Sequence, residues 1–254
     1  MNHQFKKKYG QNFLKDENLL KKIVHSANIH GERVIEIGPG AGALTKHLVT
    51  VASEIIAFEI DESLKEHLNK LTETHQHLNV IYKDILEVNL DEFENPYHVI
   101  GNIPYHITTP IIFKLSEAKN IKSITLMMQE EVGNRISASP NTKEYNALSV
   151  ILQHQYHIEK IVKVHRKMFY PIPNVDSVVL KFTPKREADI EFIQFVKACF
   201  KQKRKTLANN LYDQRNIPKE TTYDILKTLG LSVNSRAEAL NLHNFIDIAK
   251  SFKK

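Results

Sequence analysis

A chain of 254 residues with 42% hydrophobic content can bury one full-sized core and a smaller appended unit. Its single cysteine, Cys199, excludes a disulfide framework and a thiolate zinc site, and no apolar run is long enough to span a bilayer. A net charge of +6 favours polyanionic partners through counterion release without naming one.

The chain opens on MNHQFKKKYGQNF, which holds the basic cluster Lys6, Lys7 and Lys8. No apolar stretch of the secretory kind follows it, so a cytoplasmic location is expected. From there, short β-branched runs alternate with helical patterns. RVIEIG (33–38) reads as a strand and AGALTKHLV as a helix. EIIAFEI is the next strand, and DESLKEHLNKL the next helix, with Leu64, Leu68 and Leu71 recurring at helical spacing. NVIYKDI and YHVIGNI are further strands. TTPIIFKLSEA starts a helix with a Thr cap and Pro110 in the first turn. SITLMMQ is an apolar strand that places Met127 and Met128 in the core.

Such alternation predicts βαβ units and an α/β fold built on a mostly parallel, doubly wound sheet. HIEKIVKVH and DSVVLKFTP, with FYPIPNV between them, read as an antiparallel pair added at the sheet edge. Beyond Pro184 only helical patterns remain, one of them closed by Gly230 as a C-cap. This divides the chain into a first domain over 1–184 and a small all-helical domain over 185–254. Cys199 shares an apolar helix face with Phe195 and Val196 and reads as packing. The second basic cluster, KQKRKT (201–206), is a candidate phosphate-binding patch whose plainer reading is a solvated helix face. The thirteen histidines form no ligand pattern, and HQH at 75–77 falls in a loop, so no metal is expected.

Two stretches carry chemistry. EIGPGAGALT joins the first strand to the first helix, and Gly38 and Gly40 allow a sharp turn and close approach of a ligand to the backbone. Glu59 ends the second strand roughly 20 residues later, the spacing of an acid bonded to ribose hydroxyls. Asp84, after the third strand, is a second carboxylate at the same edge and could accept a bond from an adenine amino group. A turn cap is the plainer reading of Asp84. The loop also reads as G-x-G-x-x-A, so a dinucleotide and S-adenosylmethionine fit it equally.

The second stretch, GNIPYHITTP, breaks a strand with Asn102, Ile103, Pro104 and Tyr105. Pro104 biases Ile103 toward extended angles. The Asn102 side-chain oxygen and the Ile103 carbonyl are then two acceptors able to hold an aromatic amine by both hydrogens. Tyr105 offers a face for its ring. That arrangement suits methyl transfer to an amine by positioning and electrostatics, and it leaves a hydride-transfer enzyme without a use for these four residues.

In order along the chain, YGQNFLKD, EIGPGAGALT, AFEID, KDIL, GNIPYHITTP, MMQEEVGNRI, FYPIPNVDSVVLKF and FKQKRKTLANNL together resemble the adenine dimethyltransferases of small-subunit ribosomal RNA, the KsgA (RsmA) type. The resemblance implies a Rossmann-like S-adenosylmethionine-dependent methyltransferase domain followed by a helical RNA-binding domain. It also implies dimethylation of two adjacent adenines in the 3′-terminal hairpin loop of 16S ribosomal RNA within the immature small subunit, by a monomer. By matching motifs, Asn12, Leu14, Gly38, Gly40, Glu59, Ile60, Asp84, Ile85 and Asn102 would contact the cofactor. Asn102 through Tyr105 would face the target amine, Phe169 would form the second face of the base slot, and Lys203, Arg204 and Lys205 would bind RNA. Ile103 stands where many members have Leu and is common in the related Erm enzymes of 23S ribosomal RNA. His106 and Lys203 also depart from the usual letters. Two other readings are an Erm-type enzyme and a non-catalytic RNA-binding assembly factor; the second has no need for the full set Gly38, Glu59, Asp84 and Asn102.

Overall fold

The structure, a computed structural model, describes residues 13–252; Lys6, Lys7, Lys8 and Asn12, for which the sequence predicts roles, lie outside these. Its elements in chain order are β1 (Phe13–Leu14), α1 (Glu17–Ala27), β2 (Arg33–Ile37), α2 (Thr45–Leu48), β3 (Glu54–Glu59), α3 (Lys65–Thr74), β4 (Leu78–Tyr82), β5 (Tyr97–Asn102), α4 (Thr108–Glu117) and β6 (Ile121–Gln129). There follow α5 (Glu130–Ile136), α6 (Ala147–Gln155), β7 (Tyr156–Val164), β8 (Phe169–Tyr170), β9 (Ser177–Pro184), α7 (Ile190–Cys199), α8 (Leu207–Arg215), α9 (Lys219–Thr228) and α10 (Leu242–Ser251).

Seven strands form one sheet in the order β4-β3-β2-β5-β6-β9-β7. The five from β4 to β6 run parallel, and β9 joins β6 antiparallel, with Met127 opposite Val179. The inner strands are buried at successive positions, and so on both faces, as a doubly wound α/β sheet requires. β9 and β7 lie side by side beyond β6, an added pair at the edge of the parallel strands as the sequence predicts, with β9 the inner of the two. The central strand residues Ile100, Met127 and Val179 are buried in one cluster with Ile23 and Val24 of α1.

Local chemistry explains the helix ends. Asp16 caps α1 by accepting from the Leu19 N–H at 2.9 Å, and Asn28 closes it in the left-handed region. α2 is one turn long, shorter than the sequence pattern predicts. Gly40 and Gly42 hold positive φ and delay helical angles until after them. Thr108 is the first helical residue of α4 and no cap; its hydroxyl turns back to the Pro104 carbonyl at 3.2 Å. α6 begins with a capping box between Asn146 and Ser149.

The chain clusters into two compact units. Among the described residues, one holds those up to Gly133 together with His157–Pro184, and the other holds Asn134–Tyr156 and those from Lys185 onward. The sequence places a single boundary at Pro184. The second unit also draws in α6, which packs on α7 with the His154 and Phe192 rings 4.1 Å apart. Its remaining core stacks Phe200 on Phe245 at 5.5 Å, while the Tyr145 hydroxyl donates to the Leu240 carbonyl. Asp189, Thr206 and Asn241 cap α7, α8 and α10. Cys199 is fully buried here, and burial pushes its thiol far up. Among the described residues, no helix is long and apolar enough to cross a membrane, and no three His, Cys, Asp or Glu side chains gather as metal ligands.

Candidate active site

β2 and β5 are adjacent, with Ile37 opposite Gly101, and strand order reverses between them. In an open α/β sheet such a switch point opens a crevice at the carboxyl ends of the strands. A cleft lies there, within the first unit. Leu14 from β1, Gly38 and Gly40 from the turn after β2, and Glu59 and Ile60 from the end of β3 line it. Asp84 and Ile85 after β4, and Asn102, Ile103, Pro104 and Tyr105 after β5, complete the walls. Residues scattered over ninety positions therefore meet because parallel strands end at one edge.

The Glu59 carboxylate is 4% exposed and holds the turn together. Its Oε2 accepts from the Gly40 N–H and its Oε1 from the Asp61 N–H, both at 2.9 Å. Burial raises its pKa above the ordinary value, and the backbone N–H groups of Asp61, Gly40 and Ile60 work against that. This structural duty is invisible in spacing. Gly40 has φ +60°, and a Cβ there would come within 2.9 Å of the Phe13 ring, so β1 closes over the turn. Asp84 combines both of its readings: it lines the cleft, and its Oδ1 accepts from the Leu86 N–H to cap a 3-10 turn.

The Asn-Ile-Pro-Tyr segment is braced on three sides. The Ile103 N–H donates to the Met127 carbonyl at 3.2 Å, which extends the β5–β6 ladder one residue past the strand. Thr108 Oγ1 donates to the Pro104 carbonyl. The Tyr105 hydroxyl is hydrogen-bonded to Ser177 Oγ at 2.7 Å, and Ser177 is fully buried at the head of β9. Burial raises the Tyr105 phenol pKa further from the neutral range. Asn102 is half-buried, and its backbone carbonyl lies 3.4 Å from where a Cβ of Gly38 would stand. Sequence reasoning missed Phe13 and Ser177, since a lone aromatic and a lone serine carry no pattern.

Phe169 behaves differently. It is 3% exposed, belongs to the core cluster and does not line the cleft. Its backbone pairs with Leu14, as Tyr170 pairs with Phe13. Lys203, Arg204 and Lys205 lie in the second unit on the loop between α7 and α8, and not on a helix face. Lys205 is paired with Asp213 at 2.7 Å, and Lys203 with Glu238 at 3.6 Å. Arg204 is exposed, with no ion pair among the described residues.

Behind the glycine turn, Glu36 of β2 is 1% exposed. Among the described residues neither its oxygens nor Thr45 Oγ1 finds a hydrogen-bond partner. Burial pushes the carboxyl up to about 8 and the Glu59 charge adds to it, while the nearby Thr45 hydroxyl works against it. A folded value above the ordinary 4.5 favours folding with the proton on. That contribution is full below pH 4.5 and is lost as the pH rises through about 8. Glu36→Gln, which cannot ionise, is therefore expected to melt at a temperature less dependent on pH. Its advantage over the parent should grow from pH 4.5 to about 8 in thermal melts; a constant difference would place the pH dependence elsewhere.

A family model described as ribosomal RNA adenine dimethylase matches residues 2–254. The chain is similar to the ribosomal RNA small subunit methyltransferase A of Onion yellows phytoplasma, 48% identical over 96% of this chain and 95% of that one. The protein of the same name from Levilactobacillus brevis is 41% identical over 97% and 90% of the two chains. Among solved structures, a dimethyladenosine transferase from Plasmodium falciparum aligns with a TM-score of 0.80 at 29% identity, over 95% of this chain and 97% of that one. The 23S rRNA methyltransferase ErmE aligns with a TM-score of 0.71 at 24% identity, over 96% and 100%, a likeness of fold. With a whole-chain family match and a cleft that joins the glycine turn to Asn-Ile-Pro-Tyr, the chain belongs to the ribosomal RNA adenine dimethylase family.

Proposed function

We propose that this protein dimethylates two adjacent adenines in the 3′-terminal hairpin loop of 16S ribosomal RNA, using S-adenosylmethionine, in the cytoplasm and on the immature small subunit. One observation carries the reading: the glycine turn, the Glu59 carboxylate and the Asn102–Tyr105 segment line a single cleft. Small-subunit RNA is favoured over 23S RNA by the name of the relatives at 41–48% identity.

The cleft suits this donor. Leu14, Ile60 and Ile85 offer apolar walls, and Glu59 and Asp84 add two carboxyl groups. The backbone N–H groups of Gly40, Asp61 and Ile60 approach the Glu59 carboxylate, and a carboxylate has about four acceptor sites, so capacity remains for a ribose hydroxyl. When bound, S-adenosylmethionine supplies an electrophilic methyl on a sulfonium. The protein's part is to present the amine. The Asn102 oxygen and the Ile103 carbonyl accept the two amino hydrogens, which draws the lone pair out of ring conjugation. Tyr105, fixed by Ser177, gives the base a face to stack on, worth ~1–3 kcal/mol. Phe169 takes the other face only if the β1–β8 pair shifts. The methylated amine loses its proton after transfer, so no strong base is needed. The target sits in a single-stranded loop, where extruding a base is cheap.

In the helical unit, Arg204 is the member of the basic cluster best placed for phosphate, because Lys203 and Lys205 have acidic partners. Arg204→Ala is expected to weaken RNA binding and to lower the slope of log affinity against log salt by roughly 0.7–0.9. An unchanged slope would remove it from the interface. The function itself is tested by incubating the protein with labelled S-adenosylmethionine and unmethylated small or large subunits, then mapping dimethylated adenines. Label in the 16S hairpin is expected. Label only in 23S RNA would make it an Erm-type enzyme, and no label in either would leave an RNA-binding assembly factor.

A further inference from the structure

Among the described residues, four exposed large apolar side chains crowd into the short segment 168–175: Met168, Tyr170, Ile172 and Val175, between 38% and 60% exposed. The segment is firmly anchored. The Lys15 N–H donates to the Met168 carbonyl at 3.2 Å, and Tyr170 pairs with Phe13 in the β1–β8 ladder. At the far end, Arg166 Nη1 donates to the Asn174 carbonyl and the Arg166 N–H to Asp176 Oδ1, both at 3.0 Å. A concentrated apolar surface held in place and left in water marks a recognition site.

Its position and charge indicate the occupant. Phe13, directly opposite Tyr170, lines the cleft, and paired strands stand only about 5 Å apart. The next residue past the segment but one, Ser177, holds Tyr105. Lys15 Nζ lies 4.2 Å from the centre of the Tyr170 ring, and Arg166 and Lys167 are exposed beside it. No acidic residue occurs from 165 to 175, and Asp176 is engaged by Lys163 and the Arg166 N–H. An aromatic and apolar surface bordered by cations matches bases joined by phosphates.

We propose that residues 168–175 form a stacking platform for the single-stranded RNA next to the target base. Tyr170 takes a neighbouring base, and Lys15 and Lys167 take its phosphates. The proposal rests on the adenine-dimethyltransferase reading of the cleft and adds to it a place for the second adenine while the first is being methylated.

The test compares the parent with Tyr170→Ala, Ile172→Ser and the double variant, all at surface positions. A labelled 16S 3′ hairpin serves as probe, with affinity read by fluorescence anisotropy and methyl transfer read separately. The double variant is expected to bind the hairpin about tenfold more weakly and to show a raised KM for RNA, with S-adenosylmethionine affinity unchanged. Tyr170→Phe, which keeps the ring, should restore parent affinity. Parent-like affinity in the double variant would overturn the platform. So would a parent dimer, seen by sedimentation, that the double variant dissolves, because the surface would then belong to a second copy of this chain. A parent that binds the hairpin but transfers no methyl would refute the function, and the anisotropy comparison would still decide the platform.

Discussion

Asn102→Ala is expected to lose methyl transfer by two to three orders of magnitude while keeping its fold and most of its RNA affinity. The size follows from what removing one preorganised polar partner of a reacting group costs in other enzymes, roughly 10²–10³ in rate. Asn102 is half-buried at the end of β5, so truncating it opens no core cavity. The Ile103 carbonyl, the second acceptor, is positioned by its backbone. Its N–H is tied to Met127 and Pro104 follows it. A variant that still held the base but left its amine lone pair conjugated would bind and not react. Single-turnover rates with saturating donor and RNA, beside anisotropy for RNA and calorimetry for the cofactor, separate these effects. A near-parental rate would end the two-acceptor account.

Gly101→Ala should damage the protein through sterics alone. A Cβ on Gly101 would stand 2.5 Å from the Ile37 carbonyl oxygen and 3.2 Å from the Ile37 Cβ. Both belong to the neighbouring strand in the middle of the sheet, where no flexible side chain can move aside. The strands must part at the switch point, which also floors the cleft. A loss of about 2–3 kcal/mol, or roughly 5–10 °C in melting temperature, is expected, together with weakened cofactor binding. Gly31 provides the contrast. Its φ is +73°, and a Cβ there meets nothing within 4 Å, so Gly31→Ala should cost only about 1 kcal/mol of backbone strain and leave cofactor binding intact. Equal losses in the two variants would mean that backbone conformation, not strand spacing, governs Gly101.

The two effects reach the same few atoms from opposite sides. Asn102 and Gly38 approach each other across the β2–β5 seam, where the Asn102 carbonyl leaves a Cβ at Gly38 only van der Waals clearance. Gly101 and the glycine turn are thus spatial requirements of the cleft as much as conformational ones.

Periodicity and motif order were enough to lay out much of this protein from its letters. Strand–helix alternation specified the doubly wound sheet, because a period of two or of 3.6 is a property of consecutive residues. Glu59, Asp84 and Asn102 could be assigned to one edge because parallel strands end there. What consecutive residues do not encode is which distant backbones meet. The antiparallel insertion of β9 beside β6, the pairing of Leu14 with Phe169, and the transfer of Asn134–Tyr156 to the helical unit are decided by packing between segments far apart in the chain. The same holds for the grip of Glu59 on the glycine turn, the Ser177 hydroxyl behind Tyr105, and the acids that occupy Lys203 and Lys205. A side chain's type and position in sequence announce what it can bond to. Only the folded chain decides which partner is within reach.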